Sequence, residues 1–369
     1  MSEQSVPDPN RTVASDPERA LQPATVAVGR YAVGRLLAQG GMGAVYAARD
    51  TTLDREVAVK TLLPGADASR FVIESKITAK LPHPNIPPVY ELGTLPDGMP
   101  FLAMKFVRGR TLSDILHGRS HTATDLPQML TIFEQVCQAV GFAHAQGIIH
   151  RDLKPANVMV GEFGEVQVMD WGLAKELRVT VTRANTTDRV PNANHTANAN
   201  ETIDTPQFSD TQERTQTGVG MGTPAFMPPE QARGQWDAVD TRADVFALGG
   251  ILCVILAGRA PFTGNGIAEV MKRAERGELA EAHAALDATG ADAELIALAK
   301  KCLQADANKR PATGLDVAHA VAAYRASVEE RLRAAETERA AAVVKLNEQR
   351  KRRRVQLGLA FALGVILLG

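Results

Sequence analysis

The sequence predicts an α+β chain, with a small antiparallel β lobe carrying one helix and a larger, mainly α lobe. Three observations predict it. From Tyr31 to Leu62, short alternating runs ("RYAVGRLLA", "AVYAARD", "REVAVKTLL") are separated by turn residues, the pattern of an antiparallel meander. After Gly109, apolar residues recur at helical spacing. In "LPQMLTIFEQVCQAVGFAHAQG" they form a stripe of Leu130, Phe133, Cys137 and Val140. Lastly, "DVFALGGILCVILAG", Asp244 to Gly258, is apolar almost all round yet too short for a bilayer, so it reads as a helix buried in a protein core.

Each element follows in order. The opening "MSEQSVPDPNRTVASDPERALQPATV" has no apolar h-region and is rich in Pro, Ser and Asp, which predicts a disordered leader over 1–29 rather than a signal peptide. After the meander, "SRFVIESKITAKL" reads as a helix with Ile73, Ile77 and Leu81 on one face, and "PPVYELG" and "MPFLAMKFV" as further strands. Gly147 stands where the C-cap of the Leu130 helix belongs. "VMVGEFGEVQVM" reads as a hairpin. Over 177–218 the pattern collapses into Thr and Asn with few aliphatics, a disordered insertion within a domain spanning 30–326.

Strong helix formers then fill 327–354, predicting a charge-laced helix with a basic end, Arg350 to Arg354. The segment 355–369, "VQLGLAFALGVILLG", is uncharged and mostly apolar. As a helix it would be about 22 Å long, short of the ~30 Å hydrocarbon core. Following a basic run, it reads as a truncated single-pass transmembrane helix with the preceding domain on the cytoplasmic side.

Bulk properties narrow the function. Of 369 residues 22% are charged, and the formal net charge is −1, which argues against nucleic acid as the main partner. Cys137, Cys253 and Cys302 are far apart with no CxxC, so they read as reduced core thiols.

Chemistry gathers at four places. "LAQGGMGAVY", Leu37 to Tyr46, is a glycine-rich turn between strands whose N–H groups can approach phosphates closely. No helix follows it, so neither a dinucleotide fingerprint nor a P-loop fits. Lys60 ends the alternating run "VAVK" and can reach nucleotide phosphates if a carboxylate orients it, with Glu74 on the next helix as the candidate. "HRDLKPANVMV" crowds Asp152, Lys154 and Asn157 into one loop. These are a carboxylate to accept a hydroxyl proton, a cation to neutralise a moving phosphoryl group and an amide to hold a metal. Asp170 in "EVQVMDWGLAK" follows across the hairpin, a carboxylate that by itself reads either as a strand-ending turn residue or as a metal ligand.

Together, "GGMGAVY", "VAVK", "HRDLKPAN", "DWG", "GTPAFMPPE" and "DTRADVFALGGILCVILAGRAPF", in this order, resemble the protein kinases, specifically the bacterial serine/threonine kinases with eukaryotic-type (Hanks-type, Pkn-like) catalytic domains. The resemblance covers Tyr31 to Tyr324 and implies the bilobal protein-kinase fold. It implies Gly40, Gly41 and Gly43 as the phosphate flap, Leu37, Val45 and Ala58 around the adenine, and Met104 as gatekeeper. Lys105 to Val107 would be the hinge. Lys60 would bind the α- and β-phosphates and pair with Glu74, and Asp152 would be the catalytic base. Lys154 would contact the γ-phosphate, and Asn157 and Asp170 would hold Mg²⁺, with Mn²⁺ as a substitute. Thr223 would contact the base and the catalytic lysine. Asp244 would brace the catalytic loop, and Glu230 would pair with Arg310. "DLKPAN" and "GTPAF" resemble the Ser/Thr-specific forms.

Four positions depart from the usual pattern: Ala38 for the first flap glycine, Trp171 for Phe, Pro228 for Ala and Lys105 for Glu. None removes a reacting group. The resemblance implies ATP and protein Ser/Thr hydroxyls as partners, with a homodimer as the arrangement for trans-autophosphorylation. Arg151 would receive a phosphothreonine from the inserted segment, Thr211 to Thr217 being the nearest cluster. The alternative reading is a nucleotide-binding pseudokinase acting as a membrane-attached scaffold.

Overall fold

A computed structural model describes residues 26–40, 43–119, 125–177 and 223–368, with the side chains of 26, 27, 346 and 354–368 excepted. Gly41, the leader over 1–25 and most of the inserted segment, 178–222, lie outside the described residues. The chain forms two compact units, one within Met1–His117 and Phe142–Thr223, the other within Gly118–Gly141 and Pro224–Gly369. The first unit is therefore entered twice, and its boundary is not the change from strand to helix at Gly109.

The first unit contains a six-stranded antiparallel sheet, ordered β1-β2-β3-β4-β6-β5. Its strands are β1 (Val26–Val28), β2 (Tyr31–Gln39), β3 (Gly43–Asp50), β4 (Arg55–Leu62), β5 (Val89–Thr94) and β6 (Pro100–Lys105). The last residues assigned to the leader, 26–28, belong to this sheet. Val26–Val28 pairs with Tyr31–Val33 across a tight turn in which Gly29 has φ 56°. The three-residue "VAV" was too short to stand out beside the Pro-rich residues before it.

Strand alternation gives the sheet two apolar faces. Val57, Val59, Phe101 and Ala103 pack with Tyr31 and Val28 on one. Ala58, Leu102 and Met104 face the other way, onto Phe71 of α1 (Ala68–Ala79). Lys60 has the parity of Ala58 and so shares the α1 side.

Helix α1 starts at Asp67, whose carboxylate accepts the N–H groups of Ser69 and Arg70. Its buried arc is Phe71, Glu74, Ser75, Ile77 and Thr78. Ile73, expected on that face, is 39% exposed. The arc rotates because Glu74 is turned inward to meet a lysine on the sheet, which apolar spacing alone does not register.

The rest of the unit is β7 (Gly109–Thr111), α2 (Leu112–His117), β8 (Ile148–Ile149), β9 (Val158–Gly161), β10 (Val166–Val168) and β11 (Lys175–Glu176). The strands form a sheet in the order β10-β9-β7 and the pair β11-β8, and the expected hairpin is β9–β10. Buried amides tie this part to the segment after α1. Asn85 Nδ2 donates to the Val166 carbonyl (2.9 Å), Gln167 Nε2 to that of Pro84 (2.7 Å), and the Val168 N–H to that of Asn85 (2.8 Å).

The second unit is helical. It holds most of α3 (Leu126–Ala145), together with α4 (Pro229–Ala232), α5 (Thr241–Ala257), α6 (Ile267–Arg276), α7 (Ala280–Asp287), α8 (Ala293–Cys302) and α9 (Gly314–Leu368). The expected stripe on α3 is buried. Helix α5 is its core, packed on α7, α8 and α9 and ended by Gly258 at φ 69°. It begins earlier than the sequence suggested. Asp240 caps it, accepting the Arg242 N–H at 2.8 Å, and Asp244 lies in the first turn. Gly249 lets α8 approach, since a Cβ there would stand 2.6 Å from Cys302 Cβ.

The expected Glu230–Arg310 pair is present and buried. Arg310 forks onto both carboxylate oxygens at 2.7 and 2.9 Å, and donates to the carbonyls of Gln304, Ala305 and Arg242.

Helix α9 is continuous for 55 residues and passes 326 without a break. Residues 329–345 are exposed all round. Among the described residues no helix is long and apolar enough to cross a membrane, so the transmembrane helix expected over 355–369 is not supported.

All three cysteines are free and buried, as the sequence suggested. Burial pushes the Cys302 thiol up to about 12 and Cys253 to about 11, and raises Cys137 well above its ordinary value. Because the thiolate is the reactive form, alkylation of the native protein by iodoacetamide at about pH 8 should be at least about a hundredfold slower than for a free thiol. Mass spectrometry should show three adducts only after denaturation; a labelled native protein would contradict the burial.

Candidate active site

All described site residues belong to the first unit. Lys60 and Glu74 meet because strand parity and helix register turn both into the space between sheet and α1. Lys60 Nζ lies 2.5 Å from Glu74 Oε1, and the side chains are only 16% and 8% exposed. Lys60 Nζ also stands 5.8 Å from the centroid of Phe71. A lysine so held presents its charge at a fixed point.

The second cluster sits between β8 and β9. Asp152 accepts from every side. Its Oδ2 takes Lys154 Nζ at 2.7 Å and Asn157 Nδ2 at 3.3 Å, and its Oδ1 takes the Thr223 N–H at 3.0 Å. Lys154 Nζ also donates to Thr223 Oγ1 at 2.7 Å. Asn157 Nδ2 reaches the Asp152 carbonyl at 2.8 Å, which leaves its Oδ1 as the oxygen available to a cation. The Pro155–Asn157 turn, with proline at its first helical position, sets this spacing.

Asp170 follows β10, exposed, with φ 60°. Arg151 has φ 67°. Non-glycine residues in the left-handed region are uncommon and gather where function constrains the backbone. His150 joins the two loops. Its Nδ1 accepts the Asp152 N–H at 3.3 Å while its Nε2 lies 3.0 Å from the Met169 carbonyl oxygen, an arrangement satisfied by the Nε2–H tautomer. The Met169 N–H donates to the Asn157 carbonyl at 2.8 Å. A Cβ on Gly172 would stand 3.1 Å from Asp170 Oδ1 and 3.1 Å from Glu74 Oε2, so glycine lets the two carboxylates flank one point.

The groups assigned to adenine lie along the sheet. Val45 packs on the Ala58–Met104 cluster, and Ala58 pairs directly with Met104 across β4 and β6. Lys105 ends β6, half-buried, and its N–H donates to the Pro88 carbonyl at 3.1 Å. Val107 is half-buried in the link to β7, and Leu37 is half-buried at the irregularity between Leu36 and Ala38 in the β2–β3 register. Gly40 and Gly43 close the turn through an N–H to carbonyl bond of 2.9 Å.

Comparison with known proteins decides what this assembly is. Residues 31–322 match the protein kinase domain family. This chain belongs to it. The chain is similar to the serine/threonine-protein kinase PknB of Mycobacterium leprae, 38% identical over 248 residues, 64% of this chain and 34% of that protein. It is 35% identical over 277 residues to PknB of Mycobacterium tuberculosis, 73% of this chain and 39% of that protein. It is 34% identical over 255 residues to the DNA damage-responsive serine/threonine-protein kinase RqkA of Deinococcus radiodurans, 68% and 33% respectively. The chain thus spans about a third of the length of these relatives. Membership implies ATP and a divalent metal.

The donor set fits a hard cation. Asp170 offers a carboxylate and Asn157 an amide oxygen, and no three His, Cys, Asp or Glu gather to form a full cage among the described residues. The two oxygens suit a divalent metal that completes its shell with phosphates and water.

The chain brings the described residues that the sequence nominated for catalysis into two clusters: Lys60 with Glu74, and Asp152 with Lys154, Asn157 and Thr223. Sequence reasoning missed the bridging His150 and the hold of Arg151 Nε on the Leu173 carbonyl. It also missed the buried amides of Asn85 and Gln167. Gln167, between two valines in a period-two run, reads as solvent-facing, yet it is 1% exposed. No local signal marks it.

Proposed function

We propose that this kinase transfers the γ-phosphate of ATP to Ser and Thr hydroxyls of proteins, its own activation segment included. The observation that carries this is Asp152 held by Lys154, Thr223 and Asn157. The carboxylate is fixed where it can accept a proton from an incoming hydroxyl, and Lys154 beside it can neutralise charge on the transferring phosphoryl group. Lys60, steered by Glu74, would anchor the α- and β-phosphates. Bound Mg²⁺ would be held by Asn157 and Asp170 and would offset phosphate charge. Ser/Thr preference is supported by Lys154 bonding Thr223, and by the names of the relatives.

The test is intact-mass spectrometry of the phosphatase-treated protein after incubation with MgATP, with and without a serine/threonine peptide pool. Gains in single-phosphate steps, on the protein or on peptides, are expected. Nucleotide binding without any transfer would instead favour the scaffold reading.

The basic run 350–354 and the apolar segment 355–369 further support attachment to a membrane surface. The protein should co-sediment with lipid vesicles and lose this when shortened to Arg354. Equal behaviour of the two forms would remove the proposal.

A further inference from the structure

The bonds around Asp170 include one that belongs to the unusual aromatic beside it. Trp171 is 2% exposed, its ring lies 4.6 Å from that of His150, and its Nε1–H donates to the Val168 carbonyl at 3.1 Å. A buried indole N–H requires an acceptor, and Val168, itself fully buried, supplies one. This bond reaches back over Met169 and Asp170, closing a loop that contains the metal-ligand candidate at φ 60°.

The flanking backbone is held as well. Met169 is bonded at its N–H by Asn157 and at its carbonyl by His150, the Leu173 carbonyl by Arg151, and the Trp171 carbonyl by the Ala174 N–H at 3.0 Å. Of these, only the Trp171 bond spans Asp170 from one side to the other within the segment. A phenylalanine could fill most of the same space against His150 but could not close that loop.

We propose that the Trp171 indole N–H is a positioning group that, by tying residue 171 to the Val168 carbonyl, holds Asp170 in its left-handed conformation ready to take the cation. The inference rests on Asn157 and Asp170 being the metal ligands. It predicts that the bond acts on the metal more than on adenine.

The experiment compares the whole protein with Trp171→Phe, reading free Mn²⁺ by electron paramagnetic resonance as it is titrated into ADP-saturated protein. This needs no turnover. ADP affinity is measured separately in EDTA, and the thermal midpoint of each protein is recorded. Losing one such hydrogen bond should weaken Mn²⁺ binding about threefold to tenfold, with metal-free ADP affinity within about twofold. Where the parent transfers phosphate, the variant should need correspondingly more Mg²⁺ for half-maximal rate. A second variant, Trp171→Leu, which removes the ring too, should lose no less metal affinity than Trp171→Phe.

Equal Mn²⁺ binding in parent and Trp171→Phe overturns the proposal, whether or not the midpoint falls. So does an equal loss of ADP affinity in EDTA, which would mark a general structural role. If the parent binds Mn²⁺–ADP and responds as expected but transfers no phosphate to any protein, the kinase assignment fails while this inference stands.

Discussion

Asp152→Asn should lower phosphoryl transfer by about 10²- to 10⁴-fold, the usual contribution of a positioned general base, and leave nucleotide binding nearly unchanged. The two side chains are close in shape, but their hydrogen-bonding capacities are not. Every partner of the Asp152 carboxylate is a donor: Lys154 Nζ, Asn157 Nδ2 and the Thr223 N–H. An amide must turn its NH₂ against one of them, so the substitution removes the proton acceptor and also loosens the loop around it. The groups assigned to the nucleotide, from Leu37 to Val107, lie elsewhere in the unit and keep their contacts. Initial rates with a serine/threonine peptide, beside calorimetric titration with an ATP analogue, read the two effects separately. A variant retaining more than about a tenth of the parent rate would mean that Asp152 orients the hydroxyl without accepting its proton.

Arg310→Met should be the most destabilising of the changes considered. The Arg310 side chain is 0% exposed and that of Glu230 only 9%, and the guanidinium satisfies a carboxylate and three backbone carbonyls while standing 4.9 Å from the Phe246 ring centroid. Removing it strands a buried carboxylate, at a cost of about 3–5 kcal/mol. In a domain this large that lowers the thermal midpoint by roughly 6–20 °C. The double variant Glu230→Leu/Arg310→Met should recover part of the loss, because it removes both charges. A single-variant loss below about 1 kcal/mol, within the range of an exposed pair, would show that water reaches Glu230 and that the pair acts as a surface contact.

Three of the six candidate catalytic groups stood out because they are close in sequence. Asp152, Lys154 and Asn157 lie within one loop, where a fixed turn and short spacing leave few arrangements. The β meander was legible for a similar reason, since period-two alternation is a direct consequence of the strand backbone. Buried α3 and α5 were legible from their apolar stripe and apolar surround. Ile73 misled because helix spacing counts only apolar residues, whereas α1 turns a carboxylate inward. Val26–Val28 was missed because three residues carry too little pattern to outweigh the polar stretch before them.

By itself the sequence determined which chemical groups this protein has and in what order they come. Local spacing and residue type carry that information without reference to distant parts of the chain. The tertiary structure set the geometry of the expected contacts, Glu74 with Lys60 and Thr223 with Lys154 and Asp152, and alone decided others: Arg151 with the Leu173 carbonyl, and the Trp171 indole with that of Val168. It also decided that Asn85 and Gln167 are buried and that Gly172 lies between two carboxylates. Such facts depend on where packing brings separate segments to within about 3 Å, the length of a hydrogen bond. Periodicity along the chain records only which face a residue takes, not what stands opposite it.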